Sequence, residues 1–140
     1  MKRCLTALLA LLPLAGLAQA RLPLPGETYV AKMGNACAET STGGCWKSYF
    51  YRLRFGRDSV AVSYIVQAVC SRANQAATTW ADTTLVQRGA YYLLDQPREV
   101  AVPGFQLTPL TLTADGLVYQ RPPAEGGGQV VFELEAVTRP

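Results

Sequence analysis

The fold is decided by residues 46–69, which read WKSYFYRLRFGRDSVAVSYIVQAV. Apolar and polar side chains alternate in both halves of this stretch, which is the period of a strand with one buried face. The tetrapeptide Gly56-Arg57-Asp58-Ser59 between the halves has the composition of a turn. Residues 46–55 and 60–69 are therefore predicted to form a β-hairpin.

The apolar faces of this hairpin predict its register. Phe55 must lie opposite Val60, because a one-residue slip would turn one apolar face to the other side of the sheet. Continuing that register places Cys45 opposite Cys70, at a Cα separation of about 4.5–5.5 Å that suits a disulfide. We therefore predict a Cys45–Cys70 disulfide with Cys37 as a free thiol. A bond between Cys37 and Cys45 stays open as an alternative, since spacing does not define connectivity.

Alternation predicts further strands on both sides of the hairpin. The predicted strands are residues 27–33, 85–94, 98–102, 107–113, 117–121 and 129–138, with loops at 34–44, 71–78 and 121–128. Gly89 indicates a bulge or bend within its strand, and Asp115-Gly116 is a hairpin signal. About eight short strands without a long helix predict an all-β fold, an antiparallel meander barrel, with a two-sheet β-sandwich as the alternative.

The beginning of the chain has the pattern of a secretory signal. Two basic residues precede an apolar run at residues 5–18, and Ala18-Gln19-Ala20 is an A-x-A cleavage site. The run is shorter than the roughly 20 residues that a spanning helix needs. We expect a signal peptide at residues 1–20, a single β domain at 21–140, and a periplasmic or secreted location with no membrane span after cleavage.

The charge balance bears on the class of partner. Two of the 13 basic residues belong to the signal segment, so 11 basic and 10 acidic residues remain, a net charge of +1. A balance this close to neutral gives no case for nucleic acid as a partner.

Two hairpin strings, LRFGRDSV at 53–60 and LTLTADGLVY at 110–119, resemble the patterns LxFxxDSV and LxLxxDGLxY. In this respect the chain resembles small exported bacterial β-barrel proteins of the lipocalin-like kind. The resemblance implies an antiparallel barrel. The lipocalin Gly-x-Trp signature is absent near the first strand, where residues 26–29 read GETY, so no binding residues are carried over.

The inward faces of the predicted strands define where a ligand cavity would lie. An eight-stranded barrel is just wide enough to be filled by its own side chains or to hold one small ligand. Tyrosines on such a face suit either a core with hydroxyls at the barrel ends or a cavity with polar points among apolar walls. The predicted cavity walls are Tyr49, Tyr51, Leu53, Val62, Tyr64, Phe132 and Leu134.

Motifs for catalysis and metal binding are missing from the sequence. The chain has no histidine, which excludes Ser-His-Asp and Cys-His catalysis and His-ligated zinc. Three cysteines after the signal could hold a soft ion such as Cu(I), but their uneven spacing matches no zinc template. The carboxylates near strands fit turns and solvated faces better than the facing pair of a glycosidase. They are Asp58, Asp95, Asp115, Glu133 and Glu135. No catalytic residue, metal ligand or cofactor is predicted.

Three classes of function are open to an exported β domain of this kind. The first is a non-enzymatic barrel that binds a small apolar molecule or an envelope component. The second is a protein-interaction module, such as an inhibitor of a secreted hydrolase, acting through the predicted loop at 34–44. The third is an enzyme that uses carboxylates alone. An interior cavity would favour the first class, and a filled interior with an exposed aromatic patch the second.

Overall fold

The computed structural model describes residues 25–94 and 98–136. The predicted signal segment, Asp95 and the last residues of the final predicted strand lie outside this part of the chain. Within it nine strands form: β1 (Thr28–Thr40), β2 (Gly43–Phe55), β3 (Val60–Arg72), β4 (Thr78–Gly89), β5 (Tyr92–Leu94), β6 (Glu99–Ala101), β7 (Leu110–Thr113), β8 (Gly116–Gln120) and β9 (Gln129–Leu134). A short 3-10 helix at Pro123–Glu125 lies between β8 and β9.

The nine strands form one antiparallel meander that curls into a half-barrel. Their order is β4-β3-β2-β1-β9-β8-β7-β6-β5. The first and last strands are therefore neighbours, with Tyr29 opposite Leu134, and the open seam lies between β4 and β5. The predicted all-β meander is confirmed, as one sheet rather than two.

The predicted hairpin register is confirmed along the whole of β2 and β3. Phe55 pairs with Val60, and the same register continues for 13 pairs to the far end of both strands. Cys45 lies opposite Cys70 and forms the predicted disulfide, with a Cα–Cα distance of 4.1 Å. Cys37 is a free, exposed cysteine.

The core fills the inside of the curl. Fully buried side chains from β2, β3 and β9 meet there, with Leu53, Val62 and Phe132 at its centre. The loop between β6 and β7 closes this core from one side, because its Phe105 ring packs inward, 5.3 Å from the ring of Tyr51 and 6.4 Å from that of Phe132 between centroids. Side chains therefore occupy the interior of the curl.

Several predicted bounds differ from those of the structure, most of all in two segments. The predicted loop at 34–44 is wrong, because β1 continues to Thr40 and β2 already begins at Gly43. The strand predicted at 85–94 begins earlier, at Thr78, and is divided in two after Gly89. At this break Tyr91 packs its ring edge-on against Phe55, at 4.9 Å, so the chain turns away from β4 there.

The predicted hairpin at Asp115-Gly116 is confirmed, and the glycine has a second reason. Gly116 has φ +135°, and a Cβ there would lie 2.2 Å from the carbonyl oxygen of Phe132. The neighbouring strand β9 thus passes too close for any side chain at this position.

Candidate functional site

The outer halves of β1 to β4 extend beyond the core as a four-stranded extension of the sheet. We call residues 34–40, 43–49, 66–72 and 78–84 the distal ribbon. None of these residues belongs to the buried core cluster. Strand alternation makes one face of the ribbon continuous with the core side of the sheet, and we call this the inner face.

A cluster of three tyrosines lies where the inner face of the ribbon meets the core side of the sheet. Tyr49 and Tyr64 are stacked with ring centroids 6.1 Å apart, and Tyr51 lies 5.2 Å from Tyr64. The Tyr51 hydroxyl accepts a hydrogen bond of 2.9 Å from the Nε2 atom of Gln106, in the loop that carries Phe105. All three rings are half-buried, so each keeps a solvent-accessible part.

The environment of this cluster alters one hydroxyl. Desolvation, followed by the neighbouring hydroxyls of Tyr49 and Tyr51, raises the pKa of Tyr64 above its ordinary value. The Tyr64 hydroxyl therefore keeps its proton more tightly than a solvated tyrosine does, and the cluster presents ring faces with hydrogen-bonding tips.

Beyond the tyrosines, Lys47 and Trp80 lie on either side of a small residue. Ala68 of β3 pairs with Lys47 on one flank and with Trp80 on the other. The ammonium of Lys47 lies 6.0 Å from the centroid of the Trp80 ring, a cation–π distance. These two side chains cover Ala68, which is fully buried in an otherwise exposed part of the sheet.

A groove of about 740 Å³ occupies the tip of the inner face. Lys47, Arg72 and Trp80 supply its charged and aromatic groups, and the Cys45–Cys70 disulfide forms part of its wall. Its remaining lining residues are small or polar: Ala38, Thr40, Thr42, Gly43, Gly44, Ser71, Gln75, Ala76 and Thr78. Among the described residues that line it, none is acidic.

Covalent and backbone links hold the tip together. The disulfide joins β2 to β3 beside the groove. The amide of Ala73, in the β3–β4 loop, donates to the carbonyl of Thr42, in the β1–β2 turn, at 3.3 Å. A Cβ on Gly43 would lie 2.0 Å from the carbonyl oxygen of Ser71, so the two turns pack without room for a side chain there. The disulfide, the hydrogen bond and the packed turns thus hold the walls of the groove together.

The predicted cavity residues separate into three groups in the structure. Leu53, Val62 and Phe132 are fully buried in the packed core. The three tyrosines lie together where the inner face meets that core, and Tyr51 packs against it. Leu134 is 47% exposed. It lies at the edge of a shallow concavity of about 340 Å³ on the side of the sheet that faces away from the core.

The outer face of the ribbon carries an exposed aromatic residue of its own. Trp46, 52% exposed, lies opposite Cys37 on β1 and opposite Val69 on β3. Nearer the core, Arg52 forms a 2.8 Å ion pair with Glu135. The arginine and carboxylate thus neutralise each other on a partly exposed surface.

The remaining chemistry-bearing residues do not assemble into a site over residues 25–94 and 98–136. No three or more of the Cys, Asp and Glu side chains there are grouped so that they could hold a metal ion. Asp58 and Asp115 are exposed in turns, as predicted. In the same part of the chain, no helix is long and apolar enough to cross a membrane.

Three groove residues escaped the sequence-based prediction. Lys47 and Arg72 could have been placed on the inner face by extending the β2–β3 register, which pairs them with Ala68 and Gly43. Trp80 could not, because residues 78–84 show no apolar alternation that would mark β4. Comparison of the chain with protein-family models, curated proteins and solved structures finds no match.

Proposed function

We propose that the protein is an exported, non-enzymatic binding protein whose binding surface is the inner face of the distal ribbon. The observation that carries this proposal is the grouping of three solvent-accessible aromatic residues on one side of the sheet. Tyr49 and Trp80 of the ribbon and the adjacent Tyr64 lie on the inner side, beside the groove, while buried core side chains occupy the interior of the curl. Aromatic side chains next to fixed polar groups are typical of binding sites.

The filled interior argues for an envelope component rather than a small apolar molecule as the ligand. An enclosed apolar ligand needs a cavity that excludes water, whereas the inner face is open and its aromatic rings are partly accessible to solvent. A long ribbon of this kind offers an extended surface to a polymer or an assembly. The predicted signal segment and the Cys45–Cys70 disulfide support an oxidising compartment outside the cytoplasm.

The two tryptophans of the chain allow a direct test. Trp80 reports on the inner face and Trp46 on the outer face. In a Trp46→Phe variant, a soluble extract of envelope polysaccharide should change the fluorescence of Trp80. In a Trp80→Phe variant, the extract should bind more weakly, because an aromatic ring of the inner face is made smaller, and the remaining binding should leave the fluorescence of Trp46 unchanged.

Substitutions in the tyrosine cluster test the same surface independently. Tyr49→Ser and Tyr64→Ser should each weaken binding of the extract about tenfold, a loss of about 1.4 kcal/mol. Tyr92→Ser is the matched control, because Tyr92 is exposed on β5, away from the ribbon. Thermal melting followed by circular dichroism checks that each variant is folded. Equal binding by all three folded variants would exclude the inner face.

A protein-interaction module is the second candidate, and the outer face is the observation that favours it. Trp46 and Val69 are exposed neighbours there, and exposed aromatic residues are enriched in protein interfaces. A protein partner bound at this place would change the fluorescence of Trp46 and leave that of Trp80 unchanged. The contact would be a strand face, since the loop expected at 34–44 does not exist.

A further inference from the structure

Resting on the proposed function, we propose that the tip groove binds an acidic saccharide segment, with Arg72 holding a carboxylate, Lys47 adding a second positive charge and Trp80 stacking against a sugar ring.

The charges of the groove favour an anionic ligand. Two cations line it, and none of the described lining residues is acidic. Neither Arg72 nor Lys47 has a carboxylate partner among the described residues within ion-pair distance. Asp82, the acidic residue of β4, faces the same side but is opposite Val66, one step nearer the core. The field inside the groove therefore favours an anion, and the arginine fork suits a carboxylate.

The Trp80 ring and the polar groups of the groove suit a saccharide. Trp80 is 43% exposed, so part of its indole remains free beside Lys47. A flat aromatic face packs against the C–H face of a pyranose. Thr42, Gln75 and Thr78 add hydroxyl and amide groups along the same groove, which suit a ligand rich in hydroxyls. The volume of about 740 Å³ lies within the usual range of roughly 300–1,000 Å³ for ligand sites.

Single-stranded nucleic acid would use some of the same contacts, and the structure favours the saccharide over it. Binding to single strands depends on a positive groove that follows many phosphates. Here two cations lie in a short groove that ends at the tip of the ribbon, and the chain after the signal carries a net charge of only +1.

The test uses the folded, oxidised protein with Trp46→Phe as a single-tryptophan background. Short galacturonic acid oligomers should change Trp80 fluorescence with saturation, and neutral galactose oligomers of the same length should bind at least about tenfold more weakly. Arg72→Gln and Lys47→Gln should each weaken binding of the acidic oligomer about tenfold. Arg54→Gln removes the same charge from the exposed outer-face side of β2 and should leave the affinity unchanged.

Added salt should weaken binding of the acidic oligomer, because the groove is open to solvent. If acidic and neutral oligomers bind equally, or if Arg72→Gln changes nothing, the inference is overturned while the proposed function stands. Two other results would overturn the inference and leave the proposed function in place. In the first, the envelope extract changes Trp80 fluorescence and neither oligomer does. In the second, single-stranded DNA binds more tightly than the acidic oligomer. Failure of the extract and of both oligomers overturns the proposed function as well.

Discussion

At the scale of single residues, the ionisation of Tyr64 responds to its place in the fold. Its pKa is raised by desolvation and by the hydroxyls of Tyr49 and Tyr51, while the same side chain in the unfolded chain is solvated. The folded protein therefore holds this proton more tightly than the unfolded chain. The stabilising contribution is complete below the unfolded pKa and is lost as pH rises through the folded value.

The prediction for Tyr64 concerns the loss of stability in alkaline solution. Above about pH 10, the pKa of a tyrosine in the unfolded chain, the free energy of unfolding should fall more steeply in the wild type than in Tyr64→Phe, because the variant has no hydroxyl to ionise. Urea unfolding at a series of pH values measures both slopes. Tyr92→Phe, at an exposed position, should keep the wild-type slope. Identical slopes for all three proteins would contradict the raised pKa.

Single residues also show how far the sequence determined the candidate site. The tyrosines of β2 and β3 could be placed on one face because they alternate with polar residues in two adjacent strands. Their separation from Leu53 and Val62 could not be foreseen, since the pattern does not reveal where the core ends. That limit is set by Phe105, a loop residue that packs between Tyr51 and Phe132 and follows no periodic pattern.

At the scale of elements, the strands predicted best are those with one buried face. Alternation marked the core halves of β2 and β3, because burial selects apolar residues at every second position. The distal halves of β1 and β4 lack that selection, since nearly all their residues are exposed on both faces. These halves are strands because their backbones pair with the neighbouring strand, and such pairing cannot be read from the pattern of side chains.

The disulfide prediction belongs to the ribbon formed by these elements. The bond closes a loop with a sequence separation of 25, for which chain entropy predicts about 3 kcal/mol of stabilisation. Replacing both Cys45 and Cys70 by serine should therefore lower the free energy of unfolding by about that amount and weaken binding at the tip groove. Cys37→Ser is the control, because this exposed cysteine is free. The measurement is urea unfolding without reductant, and an unchanged midpoint for the double variant would count against a structural role of the bond.

At the scale of the whole molecule, the sheet has to remain curled although its seam is open. The β1–β9 pairing joins the two halves on one side. On the side of the open seam, the β6–β7 loop connects the two halves of the sheet. The Gln87 side chain of β4 donates to the carbonyl of Pro103 at 2.9 Å, and Phe105 packs inside the curl. A meander pattern predicts neighbouring strands, but it does not predict which loop bridges the gap between β4 and β5.

The last prediction tests whether Phe105 holds the curl closed. Phe105→Ala removes a buried ring that contacts both β2 and β9, and such truncations cost about 3–5 kcal/mol of unfolding free energy. Gln106→Ala removes the adjacent exposed side chain and its hydrogen bond to Tyr51, and should cost about 1 kcal/mol or less. Urea unfolding compares the two variants, and hydrogen exchange locates the effect. In Phe105→Ala, we expect faster exchange in the core halves of β2, β3 and β9 than in wild type, since water enters from the seam. Equal midpoints for the two variants would mean that the strand pairing alone maintains the half-barrel.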